Sequence, residues 1–543
     1  MSTQQRKKRI LMVGESSHIP SGFGNYTREI LSRLYNTHKY EVAELSCYRH
    51  EGVTKTEPWK IYPVSVMPSD PLFNEFMKHP NNKFGQWRFD LTLLDFKPDI
   101  VIDVRDFWNF SYQEISPLRP FFKWVIAPTY DSDPPKIDTF NVFNNADKLL
   151  FHTEWAKDQY ESYIKNATNI GDVVSDSVDP EIFKPLDTQK NIHKMIMGLP
   201  ADSFIVGTVM RNQKRKLIPD LFEILRKTID NNKNKNIILY LHSSFPEQNG
   251  WNIPSLLIEH KLENHVYLTY RCGKCSKYWA SKFQGANTQC SCGYSANICS
   301  VTNGISQYEL NNIYNTFDIY IQYAICEGFG IPQVEAASAG IPVITVNHGA
   351  MREVGDNVGA YIINTIKEFK ENETEAVRVY PDNNHCVSVM QSIIDTSHKD
   401  MLTKSKQTRD MLLKSYSWQK TAKIFESIID SMDISSNLQW DIPMRECTNT
   451  EINITTKDSN RDFIYKFIDQ ILMDQHLKHT SFIEELIFNL DNGRIIQDGR
   501  INAFTRHHAT QILEIYLNNK ISIEKIRTHK TKPSSKLISF LNY

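Results

Sequence analysis

The stretch CEGFGIPQVEAASAGIPVITV, Cys326–Val346, decides how the rest of the chain is read. It sets Glu327 and Glu335 on either side of a glycine-bracketed turn in a strongly apolar neighbourhood. The preceding FDIYIQYA has the make-up of a buried strand, and Pro332 sits where the first turn of a helix accepts a residue without an N–H. The pattern predicts strand, loop and helix, with the helix N-terminus facing the loop. Amides freed by Gly328 and Gly330, with the positive end of that helix, make a place for an anion. Glu327 falls in the loop and Glu335 about one turn inside the helix. Carboxylates in those positions accept hydrogen bonds from sugar hydroxyls while the amides hold phosphate. The alternative on the same residues is an acidic first helical turn with no ligand.

Outward from this stretch the chain alternates short apolar runs with amphipathic segments. RILMVG, YEVAELSCY, DIVIDV, KWVIA and KLLFH read as buried strands, and NYTREILSRLYN and TEWAKDQYESYI as helices between them. Alternation of this kind implies a parallel sheet covered on both faces. It pauses near VDPEIFKPLDTQKN and restarts with SFIVGTVM, NIILYLHS, HVYLTY, FDIYIQYA and IPVITV. At 543 residues the chain exceeds what one core usually organises. The expected division is an N-terminal Rossmann-like unit over 1–190 and a second over 200–432 with a cysteine-rich insertion at 271–300. A polar linker over 433–460 and a helical extension over 461–543 complete it.

The bulk composition excludes several classes. With 62 Lys+Arg against 63 Asp+Glu there is no global pull toward nucleic acid or an anionic membrane. The basic start MSTQQRKKRILMVGES carries too short an apolar run for a secretory signal, and no stretch of about 18 apolar residues is present to span a bilayer. A soluble, cytoplasmic protein is the expectation. Of nine cysteines, five crowd between Cys272 and Cys299, a metal pattern rather than a disulfide framework.

Five segments in order, VSDSVDPEIFKPL, VGTVMRNQKRKL, YELNNIYNTFDIYIQ, EGFGIPQVEAASAGIPVI and YSWQKTAKIFESI, resemble the family-four retaining glycosyltransferases of the GT-B fold over residues 9–432. The resemblance implies two Rossmann-like domains facing a cleft. In it, Glu335 binds the ribose of a nucleotide-sugar donor, and Glu327 with the amides of Phe329 and Gly330 holds the transferred sugar. Arg211 and Lys216 match the family's basic pair on the donor diphosphate. Independently, two cations neutralise the charge that grows on a departing pyrophosphate. SGFGNYTREIL places Gly22 and Gly24 before a helix with Asn25 as its cap, matching the family's glycine loop. One departure is the strand end DVRDFW, with Asp103, Arg105 and Asp106 where the family often has a histidine. His18 and His152 are the histidine candidates for polar contacts in the cleft, the alternative for each being a structural histidine.

A second departure is the insertion of about 35 residues between HVYLTY and ISQYELNNIY. It carries CGKC (Cys272, Cys275) and CSCG (Cys290, Cys292), with Cys299 after them. Paired cysteines with short spacers suit a tetrahedral four-thiolate zinc that is structural, because no coordination position stays open. The alternatives are reduced buried thiols or a redox pair. From Lys520 to Lys536 there are six Lys/Arg and one glutamate, read as a solvated end or as a contact for an anionic acceptor.

The activity expected is therefore retaining transfer of a sugar from a nucleotide-sugar co-substrate to a hydroxyl of a glycan, lipid, protein or modified nucleic acid, with no catalytic metal. The alternatives are a GT-B phosphorylase or epimerase, and a zinc-containing nucleic-acid-binding protein on an inactive GT-B scaffold.

Overall fold

In a computed structural model, the described residues are 6–116, 118–164, 168–300 and 303–437, followed by 440, 459–469, 478, 481–492, 494–497, 500–503, 506, 509, 512 and 513. The first half is built on seven parallel strands: β1 (Arg9–Glu15), β2 (Glu41–Cys47), β3 (Lys60–Pro63), β4 (Ile100–Asp103), β5 (Lys123–Ile126), β6 (Lys148–Phe151) and β7 (Ile170–Val173). Their order is β3-β2-β1-β4-β5-β6-β7. The central strands are continuous apolar runs because helices cover both faces and leave no wet side for a polar alternation. Helix α1 (Gly22–Asn36) joins β1 to β2 and buries Tyr26, Ile30, Leu31 and Leu34, one stripe of a 3.6-residue period.

The second half carries β8 (Phe204–Val209), β9 (Ile237–His242), β10 (Val266–Cys272), β11 (Tyr278–Lys282), β12 (Asn287–Gln289), β13 (Ser295–Ile298), β14 (Ile319–Ile321), β15 (Val343–Val346) and β16 (Tyr361–Ile363). Here the order is β12-β13-β10-β9-β8-β14-β15-β16, with β11 also on β10. Strands β10, β9, β8, β14, β15 and β16 are mutually parallel along that path, whereas β11 and β13 run antiparallel to β10. In each sheet the chain fills one side first and then returns to the centre, so a topological switch point lies between β1 and β4 and another between β8 and β14. Loops at the carboxyl ends of strands beside a switch point form the crevice in which such sheets hold ligands.

Three features depart from the sequence reading. The cap of α1 is Ser21, whose hydroxyl accepts the Gly24 amide at 3.0 Å, so Gly22 and Gly24 are inside the first turn and Asn25 is not the cap. Helix Trp418–Ser431, at the end of the segment assigned to the second unit, packs on the first sheet: Trp418, Phe425 and Ile429 join the core of Ile10, Tyr26 and Ile30. The extension contains helices Asn460–Phe467 and Ser481–Asn492, but an antiparallel hairpin, Arg494–Gln497 with Arg500–Ala503, follows them. The basic Lys520–Lys536 run lies outside the described residues.

A further hairpin, β17 (Thr365–Lys370) with β18 (Val377–Pro381), reaches from the second half to the first. Its Val377 amide donates to Asp133 O at 2.8 Å, and Arg378 donates to Asp131 O.

Candidate active site

The loop Gln322–Gly330 leaves the carboxyl end of β14 and enters helix Ile331–Ser338, whose cap is Gly330 at φ +91° with Pro332 in the first turn. A left-handed cap is available to glycine at little cost, and this lets the chain turn directly from the loop into the helix. Gly328 is required for a different reason: a Cβ there would stand 2.1 Å from Thr129 Cγ2, so the loop lies directly against the first half. On the facing side, a Cβ at Gly22 would meet Ile331 Cδ1 at 3.0 Å. The N-termini of α1 and of helix Ile331–Ser338 therefore approach each other across the crevice.

Glu327 is 8% exposed and fully engaged. Its Oε1 contacts Lys216 Nζ and accepts from Gln322 Nε2 at 2.8 Å, while Arg215 Nη1 sits 2.8 Å from Oε2. Arg215 also ties the loop down, donating to Cys326 O at 2.9 Å and accepting the Ile325 amide through its own carbonyl. Burial and the adjacent Arg215 charge push Lys216 well below the ordinary lysine value. Arg215, Lys216 and Glu327 thus meet at one point of the pocket floor.

Glu335, 6% exposed, lies within the helix and accepts from Tyr314 Oη at 2.7 Å. Burial raises its pKa to about 7, opposed in part by the Tyr314 hydrogen bond. Phe329 turns its ring into the core against Tyr416, at 5.2 Å between centroids, so only its backbone faces the loop.

The structure does not bring every expected residue together. Arg211, at the end of β8, has a 59% exposed side chain turned onto Glu247 at the rim, apart from the Lys216–Glu327 pair. Arg215 is the guanidinium in contact with Glu327, and sequence reasoning missed it. Within RNQKRK the five-residue spacing of a matched pair drew the assignment, whereas the short 3-10 turn Lys214–Lys216 places neighbouring side chains together. Lys214 faces the other way, 4.0 Å from the Trp251 ring.

On the opposite wall, Asp103 and Arg105 form a buried pair, with Arg105 Nε donating to Asp103 Oδ1 at 2.8 Å and Oδ2 accepting from both Arg105 Nη2 and Gln113 Nε2, the latter at 2.7 Å. They hold the strand end and have nothing to spare for a ligand. Asp106 remains: it is hydrogen-bonded to Thr129, and burial together with the neighbouring Asp131 charge raises its pKa to about 6. His152 is structural, with Nδ1 2.7 Å from Asp176 and Nε2 3.2 Å from Ala127 O. His18 packs its Nδ1 on Ser16 Oγ at 2.6 Å and lines a cavity of about 440 Å³ with Arg28, Tyr35, Glu57 and Trp59. Gly24 fixes this loop: a Cβ would lie 2.4 Å from Ile19 O and 2.8 Å from Ser16 O.

The thiol sulfurs of Cys272, Cys275, Cys290 and Cys292 all lie within 4.8 Å of one another. Cys299 is not part of this group and is buried with Phe183, Met197 and Leu199. Among the described residues no helix is long and apolar enough to cross a membrane.

With this geometry in hand, comparison with known proteins places the second half. A family model described as "Glycosyl transferases group 1" matches residues 221–372, the region that holds the Glu327–Glu335 loop. Sucrose synthase of Melioribacter roseus is 27% identical over 164 residues, 30% of this chain but only 18% of that relative's length. Among solved structures, sucrose-phosphate synthase (tll1590) from Thermosynechococcus elongatus superposes with a TM-score of 0.55 at 16% identity, covering 78% of this chain and 98% of that one. Anabaena Alr3699/HepE in complex with UDP-glucose gives 0.54 at 13%, covering 78% and 100%. The chain thus has the GT-B fold and contains a glycosyltransferase group 1 domain.

Proposed function

We propose that the protein is a retaining, nucleotide-sugar-dependent glycosyltransferase acting on a hydroxyl acceptor in the crevice between its two sheets. The observation that supports this most is the convergence of Lys216, Arg215 and Glu327 at the β14 end, directly opposite the α1 N-terminus. The donor diphosphate takes the cations and the amides of Gly328–Gly330, and Glu327 passes to the hydroxyls of the transferred sugar. Ribose hydroxyls donate to Glu335. Arg211 leaves Glu247 and closes on the diphosphate from the rim. In the step itself, the bond between the sugar's anomeric carbon and the diphosphate oxygen breaks as the acceptor oxygen attacks from the same face. The acceptor proton goes to the departing diphosphate oxygen, and the growing charge there is stabilised by groups already in place. Asp106 faces this centre and takes the polar contact that a histidine makes in related sequences.

No metal is needed for this step, since the cations and the helix N-terminus supply the positive field. The eight cysteines found free among the described residues support a reducing compartment, and we place the protein in the cytoplasm. The test is product analysis from a donor labelled in its sugar: NMR should show the sugar joined to acceptor with its anomeric configuration kept. Inversion, release of sugar 1-phosphate or epimerised donor would each reject the retaining-transfer reading.

A further inference from the structure

The cysteine insertion is not used by the proposed reaction, yet it is built into the second sheet. Cys272 ends β10 and Cys275 lies in the turn to β11, while Cys290 and Cys292 lie in the turn from β12 to β13. Two hairpin turns thus face each other. The Cys272–Cys292 and Cys275–Cys290 sulfurs are 3.5 and 3.7 Å apart. A zinc ion with tetrahedral bonds of about 2.3 Å sets its sulfurs about 3.8 Å from one another, far from the roughly 2.05 Å of a disulfide.

The ribbon also touches the segment that joins the two halves. The Ala280 amide on β11 donates to Met197 O at 2.8 Å, and Tyr278 Oη accepts from Asn312 Nδ2 at 2.9 Å. Asn312 lies on helix Gln307–Tyr314, and its carbonyl meets His193 of the linker helix Lys190–Ile196 at 2.7 Å. The same helix carries Tyr314 to Glu335. Next to Cys272, Arg271 exchanges two hydrogen bonds of 3.3 Å with Asn303, just before that helix.

We propose that Cys272, Cys275, Cys290 and Cys292 bind one structural zinc, and that the ribbon it fixes clamps the interdomain linker and helix Gln307–Tyr314. An insertion with few large buried side chains does not order itself by apolar burial, so the metal supplies what the core lacks. Four thiolates leave no open position, which makes the ion structural rather than catalytic. Neither the metal nor the clamp rests on the transferase reading.

The experiment uses the full-length protein purified without chelator. Elemental analysis should give about one zinc per chain, and cobalt replacement should show thiolate-to-metal absorption. Cys275→Ser, whose side chain is exposed, should lose the metal. Removing zinc with a chelator should lower the melting temperature and open the linker to trypsin at Lys190 and Lys194. Tyr278→Phe should keep the zinc and loosen the same peptide bonds. Metal-free protein with four titratable thiols, or with disulfides among them, would overturn the site. Full trypsin resistance of the linker in both the chelated protein and Tyr278→Phe would overturn the clamp. Zinc without any nucleotide-sugar turnover would count against the transferase alone.

Discussion

Donor binding should carry a proton signature, because the carboxylate assigned to the ribose is neutral in much of the free protein. Burial sets the Glu335 pKa at about 7, and ribose hydroxyls donate best to the ionised form. If only ionised Glu335 binds, the ionised fraction rises from about 3% at pH 5.5 to about 97% at pH 8.5, and the donor Kd falls about thirtyfold across that range. Binding therefore releases a proton near pH 7, which calorimetry in buffers of different ionisation heat reads directly. Glu335→Gln should flatten the profile. Tyr314→Phe removes a hydrogen bond that lowers the pKa, so it should move the midpoint to higher pH. In the free protein the sign runs the other way: a carboxyl whose folded pKa is raised loses stability as pH climbs from its unfolded value of 4.5 to about 7. A donor affinity that is flat with pH in wild type, or unchanged by Glu335→Gln, refutes the assignment of this residue to the ribose.

Other substitutions separate the remaining roles. Lys216→Ala and Arg211→Ala should each lower turnover by about one hundredfold, whereas Lys214→Ala, which removes only a cation stacked on Trp251, should change it little. Glu327→Gln should lower kcat while leaving the donor Kd near wild type, because contacts to the moving sugar tighten as it reacts; a change in KM alone would contradict this. Gly24→Ala forces a methyl against Ile19 O and should cost about 1–3 kcal/mol in urea unfolding, with loss of the α1 entry. Phe425→Ala should cost about 3–5 kcal/mol and show that helix Trp418–Ser431 belongs to the first core.

Much of this arrangement is visible in the sequence where local pattern and final environment agree. The apolar runs ending at Val13, Ile102, Ile126 and Ile321 are strands because central parallel strands have no polar face. The Glu327–Glu335 turn is legible for a similar reason, since its glycines and Pro332 are required by the backbone itself. The cysteine pairs sit at turns where short spacers must be. What the sequence hides is set by remote partners. Nothing near Trp418 announces that its helix will cross to Tyr26, 5.2 Å away between ring centroids. Ser21 outcompetes Asn25 as cap because Gly24 lets the chain approach Ile19 O closely enough to start the helix early. The hairpin of β17 and β18 lacks a clean apolar alternation, TIKEFK being mostly exposed, and its contacts with Asp131 and Asp133 are tertiary. In the extension, Asp498-Gly499 between RIIQ and RINA is a recognised hairpin signal that the helical reading passed over.

The central claim is that a nucleotide sugar occupies the crevice at Glu327 and Glu335. A thermal-shift screen of nucleotide sugars on the full-length protein tests it most directly. A donor at one hundred times its dissociation constant should stabilise wild type by about 2.7 kcal/mol. The same donor at the same concentration should shift Glu335→Gln far less. A panel in which no nucleotide sugar shifts the wild-type melting temperature, or in which Glu335→Gln responds as wild type does, would contradict the account.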